Sequence, residues 1–295
     1  MTEVALGVPV FKRTERLESL LESVPDYINT VYVADDGDIS DRRHVYDKNF
    51  DFCLKVLELE YDSGLGKKRA EIVNALEEPY LLVVDSDHII PQNASILRDQ
   101  LESNQDLGGI SGVLNEYGSL RAGAHNLYEE SGYLKRDIRG EPDQIDTSTY
   151  PLYKFDFLPN VAVFRSECLQ DYCWDPEYVI GKDHVDFYVG HLRNSRWKFA
   201  VNPCVVFDHY PGGSEDYLQN RQQTEKHHKS EQYFLNKWGY NGIIRIQHRW
   251  IDSYNPEQEF TGLLHSGLRM TLRQLPNSMS MRLINGINRF SKYNL

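Results

Sequence analysis

Short apolar runs alternate with amphipathic segments through the first hundred residues of the chain. The runs have the length and valine content of buried strands, and they cover residues 4–8, 31–34, 53–59 and 80–84. Helical spacing of apolar residues follows from Thr14, the expected cap, to residue 23, and again over residues 66–76. Strands that alternate with helices in this way are typical of an α/β fold with a mainly parallel sheet flanked by helices.

The pattern changes after Gly108, where strand-like segments follow one another more closely. We predict strands over residues 110–114, 155–164 and 199–207, and an antiparallel hairpin within residues 122–138. Helices are expected over residues 183–193 and 214–238. Residues 139–153 contain glycine, two prolines and several acids, which predicts a mobile loop.

Acidic residues follow two of the predicted strands. Asp85 and Asp87 flank Ser86 after the fourth strand, and Asp35, Asp36 and Gly37 follow the second. Ligands of open α/β sheets bind at the carboxyl ends of the strands, where two carboxylates suit a Mg²⁺ or Mn²⁺ ion that carries a phosphate. Each motif taken alone is equally compatible with an ordinary acidic turn.

A turn with two glycines and three cations, residues 63–69, precedes the predicted helix over residues 66–76. Backbone N–H groups at a helix start attract phosphate, and Lys67, Lys68 or Arg69 could reach a diphosphate or a base carbonyl. The spacing is neither that of a P-loop nor that of a dinucleotide fold, so a solvated helix start remains the alternative.

Two further clusters lie later in the chain. Asp183, His184 and Asp186 fall within four residues, where a His or a carboxylate could take a proton from an attacking hydroxyl. Trp174 could stack on a sugar ring, or it could lie in the core beside an acidic helix start. His209 follows an apolar strand and precedes a Gly pair, which makes it a candidate nitrogen ligand for the metal held by Asp87.

Composition limits the classes of function. A net charge of −12 argues against a nucleic-acid partner, because phosphate binding requires a basic surface. The four cysteines form no Cys-x-x-Cys pair, no N-terminal leader is recognisable and no apolar run approaches the roughly twenty residues of a membrane span, so we expect a cytoplasmic protein.

The chain has five cations and no acid after Glu259. Residues 262–295 have the pattern of a basic amphipathic helix, which favours either peripheral contact with the inner face of a membrane or docking on the acidic body.

In this order, the motifs resemble the inverting glycosyltransferases of the GT-A fold, in particular family 2. The resemblance covers roughly residues 4–240 and includes the Gly7–Val10 strand with its proline, the Asp-Asp-Gly turn, the glycine-rich helix start, Asp85-Ser-Asp87, the acidic motif at residues 183–187 and His209. It implies a GT-A domain over residues 1–240, with a nucleotide-binding half (1–115) and an acceptor-binding half (116–240), followed by a basic helical extension over residues 241–295.

The resemblance also implies roles for individual residues. Asp36 and Arg69 would contact the nucleobase, Asp85 the ribose, and Asp87 with His209 would hold Mn²⁺ or Mg²⁺ on the diphosphate. The full set implied to bind the nucleotide sugar is Pro9, Asp35, Asp36, Gly66, Arg69, Asp85 and Ser86. Trp174 would bind the acceptor, and the catalytic candidates are Asp183, His184 and Asp186.

One departure concerns the base. The family usually has Glu-Asp-x-Asp at the acceptor motif, with the second acid as base, whereas this chain has His184 at that position. The acid-His-x-acid-Phe pattern is similar to an N-acetylgalactosaminyl-transferring branch of the family, and the base assignment stays divided between His184 and Asp183.

The sequence therefore predicts inverting, metal-dependent transfer of a sugar from a nucleoside diphosphate donor. A UDP-linked hexose or N-acetylhexosamine is the expected donor, and a hydroxyl of a glycan, protein-linked or lipid-linked acceptor is the expected target. A metal-dependent nucleotidyltransferase and an inactive nucleotide-sugar-binding module are the alternatives.

Overall fold

The computed structural model describes residues 3–145, 147, 150–245 and 250–251. The strands are β1 Val4–Val10, β2 Ile28–Asp35, β3 Cys53–Glu58, β4 Tyr80–Val84, β5 His88–Ile89, β6 Leu107–Glu116, β7 Ser119–Arg121, β8 Asn126–Glu130, β9 Tyr133–Asp137, β10 Gln144–Ile145, β11 Leu152–Phe155, β12 Val161–Arg165, β13 Lys198–His209 and β14 Gly242–Arg245. The helices are α1 Thr14–Glu22, α2 Arg43–Tyr46, α3 Leu65–Ala75, α4 Ser95–Ser103, α5 Ser166–Asp171, α6 Asp183–Asn194, α7 Glu215–Arg221 and α8 Thr224–Trp238.

One large sheet organises the described residues. Its order is β10-β11-β13-β6-β12-β4-β1-β2-β3, with β5 paired to β13 and β7 paired to β6. Along this path β11 and β12 run opposite to the other strands, so seven of the nine strands point their carboxyl ends to the same edge. The predicted α/β class with a mainly parallel, mixed sheet is confirmed.

Side chains alternate between the two faces of the sheet because successive residues of a strand point in opposite directions. Leu6 and Val8 of β1 pack on one face with apolar residues of α1, α2 and α4. Ala5 of β1 and Leu81 of β4 pack on the other face with α3, α5, α6 and α8. Helices on both faces therefore leave the strand ends as the place where polar side chains converge.

Several boundaries differ from the sequence prediction. Residues 139–153 were expected to be a loop, but they contain β10 and the start of β11, which pair antiparallel next to β13. The run over residues 155–164 divides into β11 and β12, and the run over residues 214–238 divides into α7 and α8. Thr14 is the first helical residue and not the cap, which is Arg13 in a left-handed conformation with φ 55°.

A further strand, β14, follows the predicted domain boundary at residue 240. Strand β14 pairs in parallel with β9 and extends the small sheet formed by the predicted hairpin, β8 and β9. The compact unit accordingly runs to residue 252. The predicted helical extension and its membrane-facing segment, residues 262–295, lie outside the described residues.

Candidate active site

A cavity of about 370 Å³ lies at the edge where β1, β2, β4 and β13 end. This size is within the range of small-molecule sites. Five residues predicted from the sequence line it: Pro9, Asp36, Asp85, Asp87 and His209. The predicted residues Asp35, Gly66, Arg69, Ser86, Trp174, Asp183, His184 and Asp186 lie outside this lining.

Asp87, His88 and His209 form a cluster, and Asp87 and His209 line the cavity. One ligand atom from each lies within 4.8 Å of the others, and the His209 Nε2 is 3.4 Å from the Asp87 Oδ2. The rings of His88 and His209 stack with centroids 4.5 Å apart. One carboxylate and two imidazoles in such proximity are the donor set of a divalent metal site.

Sequence reasoning missed His88, although it directly follows Asp87. The short strand β5 pairs antiparallel with the end of β13 and places His88 opposite His209. Its Nδ1 lies 3.0 Å from the carbonyl oxygen of Asp85, and since a carbonyl only accepts, Nδ1 carries the proton. The Nε2 of His88 is then the atom with a lone pair for a metal.

Two charged residues flank the cluster. Glu116, at the end of β6, accepts a hydrogen bond at 2.8 Å from the Nδ1 of His209 and so fixes the orientation of that ring. Burial disfavours the charged form of His209, but hydrogen bonds to Asp87 and Glu116 outweigh it and raise its pKa to about 9. Arg13 donates to Asp87, and its guanidinium lies 4.4 Å from the centre of the Tyr217 ring.

Arg69 joins the two halves of the site. Its guanidinium donates to Asp85 at 2.9 Å through Nη2 and to Asp183 through Nη1. Asn160 donates to the other oxygen of Asp85 at 2.9 Å, while its own Oδ1 is buried without a partner. Burial opposes ionisation of Asp85, but the adjacent Arg69 and His88 hold its pKa well below the usual range.

The predicted nucleobase contact, Arg69, and the predicted sugar contact, Trp174, are both buried. The Arg69 side chain is buried, and its guanidinium lies over Trp174, 5.6 Å from the ring. Trp174 is itself buried and stacks on Phe187 at 4.3 Å. Trp174 therefore supports the Arg69 guanidinium from the core and presents no ring face to a ligand.

The two acids of the first turn have different environments. Asp36 lines the cavity and accepts hydrogen bonds from the Lys68 Nζ at 2.6 Å and the Gly64 N–H at 2.8 Å. Asp35 is fully buried and accepts from Arg42, from the Tyr46 hydroxyl at 2.6 Å and from the Gly37 N–H. The oxygens of Asp35, which was predicted to bind the nucleotide, therefore hold the turn together.

Gly66 and Ser86, both predicted to bind the nucleotide sugar, are buried. The N–H of Gly66 donates to the Tyr178 carbonyl at 3.0 Å, and an added Cβ would lie 2.1 Å from the Asp175 oxygen. The start of α3 is thus closed by backbone carbonyls and offers no N–H of Gly66 to a phosphate. Ser86 is fully buried behind the strand end, and Lys67 pairs with Glu71 on the surface.

The three predicted catalytic residues have different surroundings. Asp183 is buried and pairs with Arg69. His184 donates through Nε2 to the Leu158 carbonyl at 2.7 Å, and burial with the nearby Arg69 lowers its pKa to about 3.

Asp186 is buried within a dense set of hydrogen-bond donors. It has no exposed surface, and the hydroxyls of Tyr172 and Tyr178, the Trp238 indole and Lys237 all donate to it at 2.7–3.0 Å. The bonds from Lys237 and Trp238 tie α6 to α8, and all of these donors surround the carboxylate that was predicted to be catalytic.

Three cations line the cavity beside the acids. Arg13 pairs with Asp87, Lys68 pairs with Asp36, and Arg221 is exposed at the end of α7. Burial lowers the pKa of Lys68, and Asp36 opposes that effect. Sequence reasoning did not single out Arg13 or Arg221, because each becomes part of the site only through the fold.

Solved structures share this architecture. The crystal structure of GalNAc-T7 with UDP, GalNAc and Mn²⁺ superposes with a TM-score of 0.57 and 12% identity, over 72% of this chain and 45% of that one. S. aureus TarS, residues 1–349 in complex with UDP-GlcNAc, gives a TM-score of 0.53 and 17% identity, over 80% of this chain and 67% of that one. The chain thus spans less than half of the GalNAc-T7 chain. These structures share the GT-A fold with this chain.

The family follows from the sequence itself. Residues 6–158 match the model of glycosyl transferase family 2, and the chain belongs to that family. A search of curated proteins found no matching sequence. Among the described residues, no helix has the length and apolar character needed to cross a bilayer.

Proposed function

We propose that this glycosyltransferase transfers a hexose or N-acetylhexosamine, with inversion, from a UDP-linked donor to a hydroxyl of a glycan or lipid-linked acceptor. The observation that carries this proposal is the cluster of Asp87, His88 and His209, of which Asp87 and His209 line a cavity that three cations also line. Acids and imidazoles suit a metal, whereas cations beside them suit a diphosphate.

The donor is assigned from the lining of the cavity. Asp36 and Pro9, which line the cavity, are proposed to contact the nucleobase. Asp85, which also lines it, is proposed to accept a hydrogen bond from the ribose. UDP and UDP-GlcNAc in the crystal structures of the two similar proteins support a uridine nucleotide.

The donor set favours Mn²⁺ over Mg²⁺. Mg²⁺ takes oxygen ligands almost exclusively, whereas two of the three candidate ligands here are imidazoles. Asp87, His88 and His209 would hold the ion, and Glu116 would orient His209. When bound, the ion would neutralise charge on the diphosphate leaving group.

Asp183 is proposed as the base that accepts the proton of the acceptor hydroxyl. His184 is a weaker candidate, because its Nε2–H is committed to Leu158 and its low pKa makes its free nitrogen a poor proton acceptor. Arg69 positions Asp183 relative to Asp85, which lines the donor cavity.

The test combines binding and chemistry. Thermal shift is measured with UDP, UDP-glucose, UDP-GlcNAc and UDP-GalNAc, each with and without Mn²⁺, and ligand affinity appears as added stability. We expect a Mn²⁺-dependent shift that the His209→Ala variant loses and the matched His228→Ala variant, at an exposed position of α8, keeps. NMR of the product then gives the anomeric configuration.

Three outcomes would contradict the proposal. Stabilisation by UTP with release of pyrophosphate would indicate a nucleotidyltransferase. Binding of nucleotide sugars without transfer or hydrolysis would indicate an inactive module, and retention of the anomeric configuration would exclude the inverting reaction.

A further inference from the structure

Two exposed tyrosines lie beside the candidate metal ligands, outside the donor cavity. Tyr117 is 69% exposed and Tyr210 is 36% exposed, and their rings meet edge to face with centroids 6.4 Å apart. Large exposed aromatic side chains in contact with each other are uncommon on a surface without a partner.

The backbone fixes both tyrosines relative to the cluster. Tyr210 follows His209 directly, and its N–H donates to the carbonyl of Asp87 at 2.9 Å. Tyr117 follows Glu116, whose carboxylate holds His209. Glu116 therefore contacts His209, and the next residues of the two segments, Tyr117 and Tyr210, form the aromatic pair. The pairing of β6 with β13 thus sets the distance from the aromatic pair to the metal ligands.

The conformation of Tyr117 is unusual. Tyr117 and Gly118 form the two-residue loop between β6 and β7, with φ values of 50° and 85°. Such hairpins usually place Asn or Asp at the first position, because a left-handed tyrosine is strained. The side chain of Asn115 accepts from the Gly118 N–H at 3.0 Å and braces the turn, so the structure maintains an exposed ring at this point.

A second cavity, of about 300 Å³, opens beside Tyr210. It is lined by Arg16, Ser19, Asp87, His88, Ile89 and Tyr210, so it shares Asp87 with the donor cavity. The Arg16 guanidinium lies over the Tyr210 ring at 5.5 Å. A ligand in this cavity would touch the same carboxylate as the donor but approach it from another side.

We propose that Tyr117 and Tyr210 form a stacking site for a pyranose ring of the acceptor glycan. The C–H face of a pyranose is apolar and its hydroxyls are polar. The exposed Tyr117 ring suits the apolar face, and Ser19 and Arg16 of the second cavity, with the Arg16 guanidinium over one face of Tyr210, suit the hydroxyls. This inference rests on the proposed glycosyl transfer, and it assigns the acceptor to a class, a glycan with at least one free pyranose ring.

The experiment measures saturation-transfer NMR with methyl glycosides of glucose, galactose, GlcNAc and GalNAc, in the presence of UDP and Mn²⁺. We expect at least one glycoside to bind the wild-type protein. The same glycoside should bind the Tyr117→Ala/Tyr210→Ala variant about tenfold more weakly, and it should bind the Tyr117→Phe variant with nearly normal affinity, because the ring face carries the interaction. Tyr133→Ala is the matched control, since Tyr133 is 38% exposed on the other sheet.

The outcomes separate this inference from the proposed function. UDP binding is measured on each variant by calorimetry, and its absence in the wild-type protein would refute the UDP-linked donor. Normal UDP binding with no glycoside signal, or with a signal equal in the wild-type and double-Ala proteins, would overturn the stacking site alone.

Discussion

Asp183 accepts a hydrogen bond from Arg69, which lies 114 positions earlier in the chain. The same guanidinium donates to Asp85, so one buried cation links the cavity wall to the start of α6. The acceptor-side acid is consequently positioned by the donor-side helix α3, and not by its own helix alone.

The first prediction concerns the base. Asp183→Asn should reduce transfer by about 10²–10⁴-fold, because the amide cannot take a proton, while UDP binding stays within a fewfold of normal. His184→Gln should cost far less, since a glutamine can still donate to the Leu158 carbonyl.

Initial rates and calorimetric UDP affinity check this prediction on the same preparations. A variant of Asp183 that transfers at the wild-type rate would remove it from the mechanism. A severe loss at His184 with Asp183 unaffected would instead move the base to the imidazole.

The second prediction concerns the ligand that the sequence did not reveal. His88→Ala should weaken Mn²⁺ binding about as much as His209→Ala, because each removes one of three candidate ligands. Glu116→Gln should cost about 10–100-fold in affinity, the usual effect of losing a partner that orients a ligand. Mn²⁺ titration monitored by electron paramagnetic resonance measures all three, and unchanged affinity in His88→Ala would restrict the site to Asp87 and His209.

The third prediction concerns competition at Asp87. Arg13 pairs with this carboxylate, and both side chains are largely buried, so a metal and the guanidinium compete for the same oxygens. Arg13→Ala should therefore tighten Mn²⁺ binding in the absence of nucleotide by roughly tenfold, in line with the loss of one nearby positive charge. Weaker Mn²⁺ binding in this variant would show that Arg13 orders Asp87 for the metal; Lys12→Ala, a neighbouring and more exposed cation, serves as control.

The sequence predicted the sheet and the polar strand ends because both depend on local patterns. Strand β4 was predicted with its observed limits, since five apolar residues between polar turns leave no other choice. Asp36, Asp85, Asp87 and His209 were expected together at one edge, and they do line one cavity. That part of the site follows from parallel strands alone.

What the sequence could not provide depends on partners distant in the chain. Asp35 and Asp36 are adjacent and chemically identical. The Asp35 carboxylate nevertheless accepts hydrogen bonds from Arg42 and Tyr46, whereas Asp36 lines the cavity. The sequence offers Asp183 and Asp186 as equivalent catalytic candidates. Only the fold brings Trp238 and Lys237 of α8 into hydrogen-bond contact with Asp186. The pairing of β5 with β13 brings His88 next to His209. A strand of two residues is too short to be predicted from a sequence pattern.

The last prediction concerns stability and pH, and it uses a histidine remote from the site. His191 is buried among Phe187, Phe199 and Tyr172, with its Nδ1 2.9 Å from the Ser195 hydroxyl and its Nε2 3.7 Å from the Cys168 sulfur. Burial lowers its pKa to about 4, with smaller opposing effects from the Tyr172 backbone and Asp171.

The unfolded chain takes up a proton on this histidine near pH 6.5, whereas the folded protein does not until about pH 4. Between these pH values unfolding takes up a proton, so the free energy of unfolding rises with pH. The contribution of neutral His191 to stability is complete above about pH 6.5 and is lost on acidification. The free energy of unfolding should therefore fall more steeply in the wild-type protein than in His191→Asn, by about 1.4 kcal/mol per pH unit between roughly pH 6 and pH 5. Urea unfolding of both proteins across this interval measures the difference. Parallel slopes would mean that His191 titrates as freely in the folded protein as in the unfolded chain.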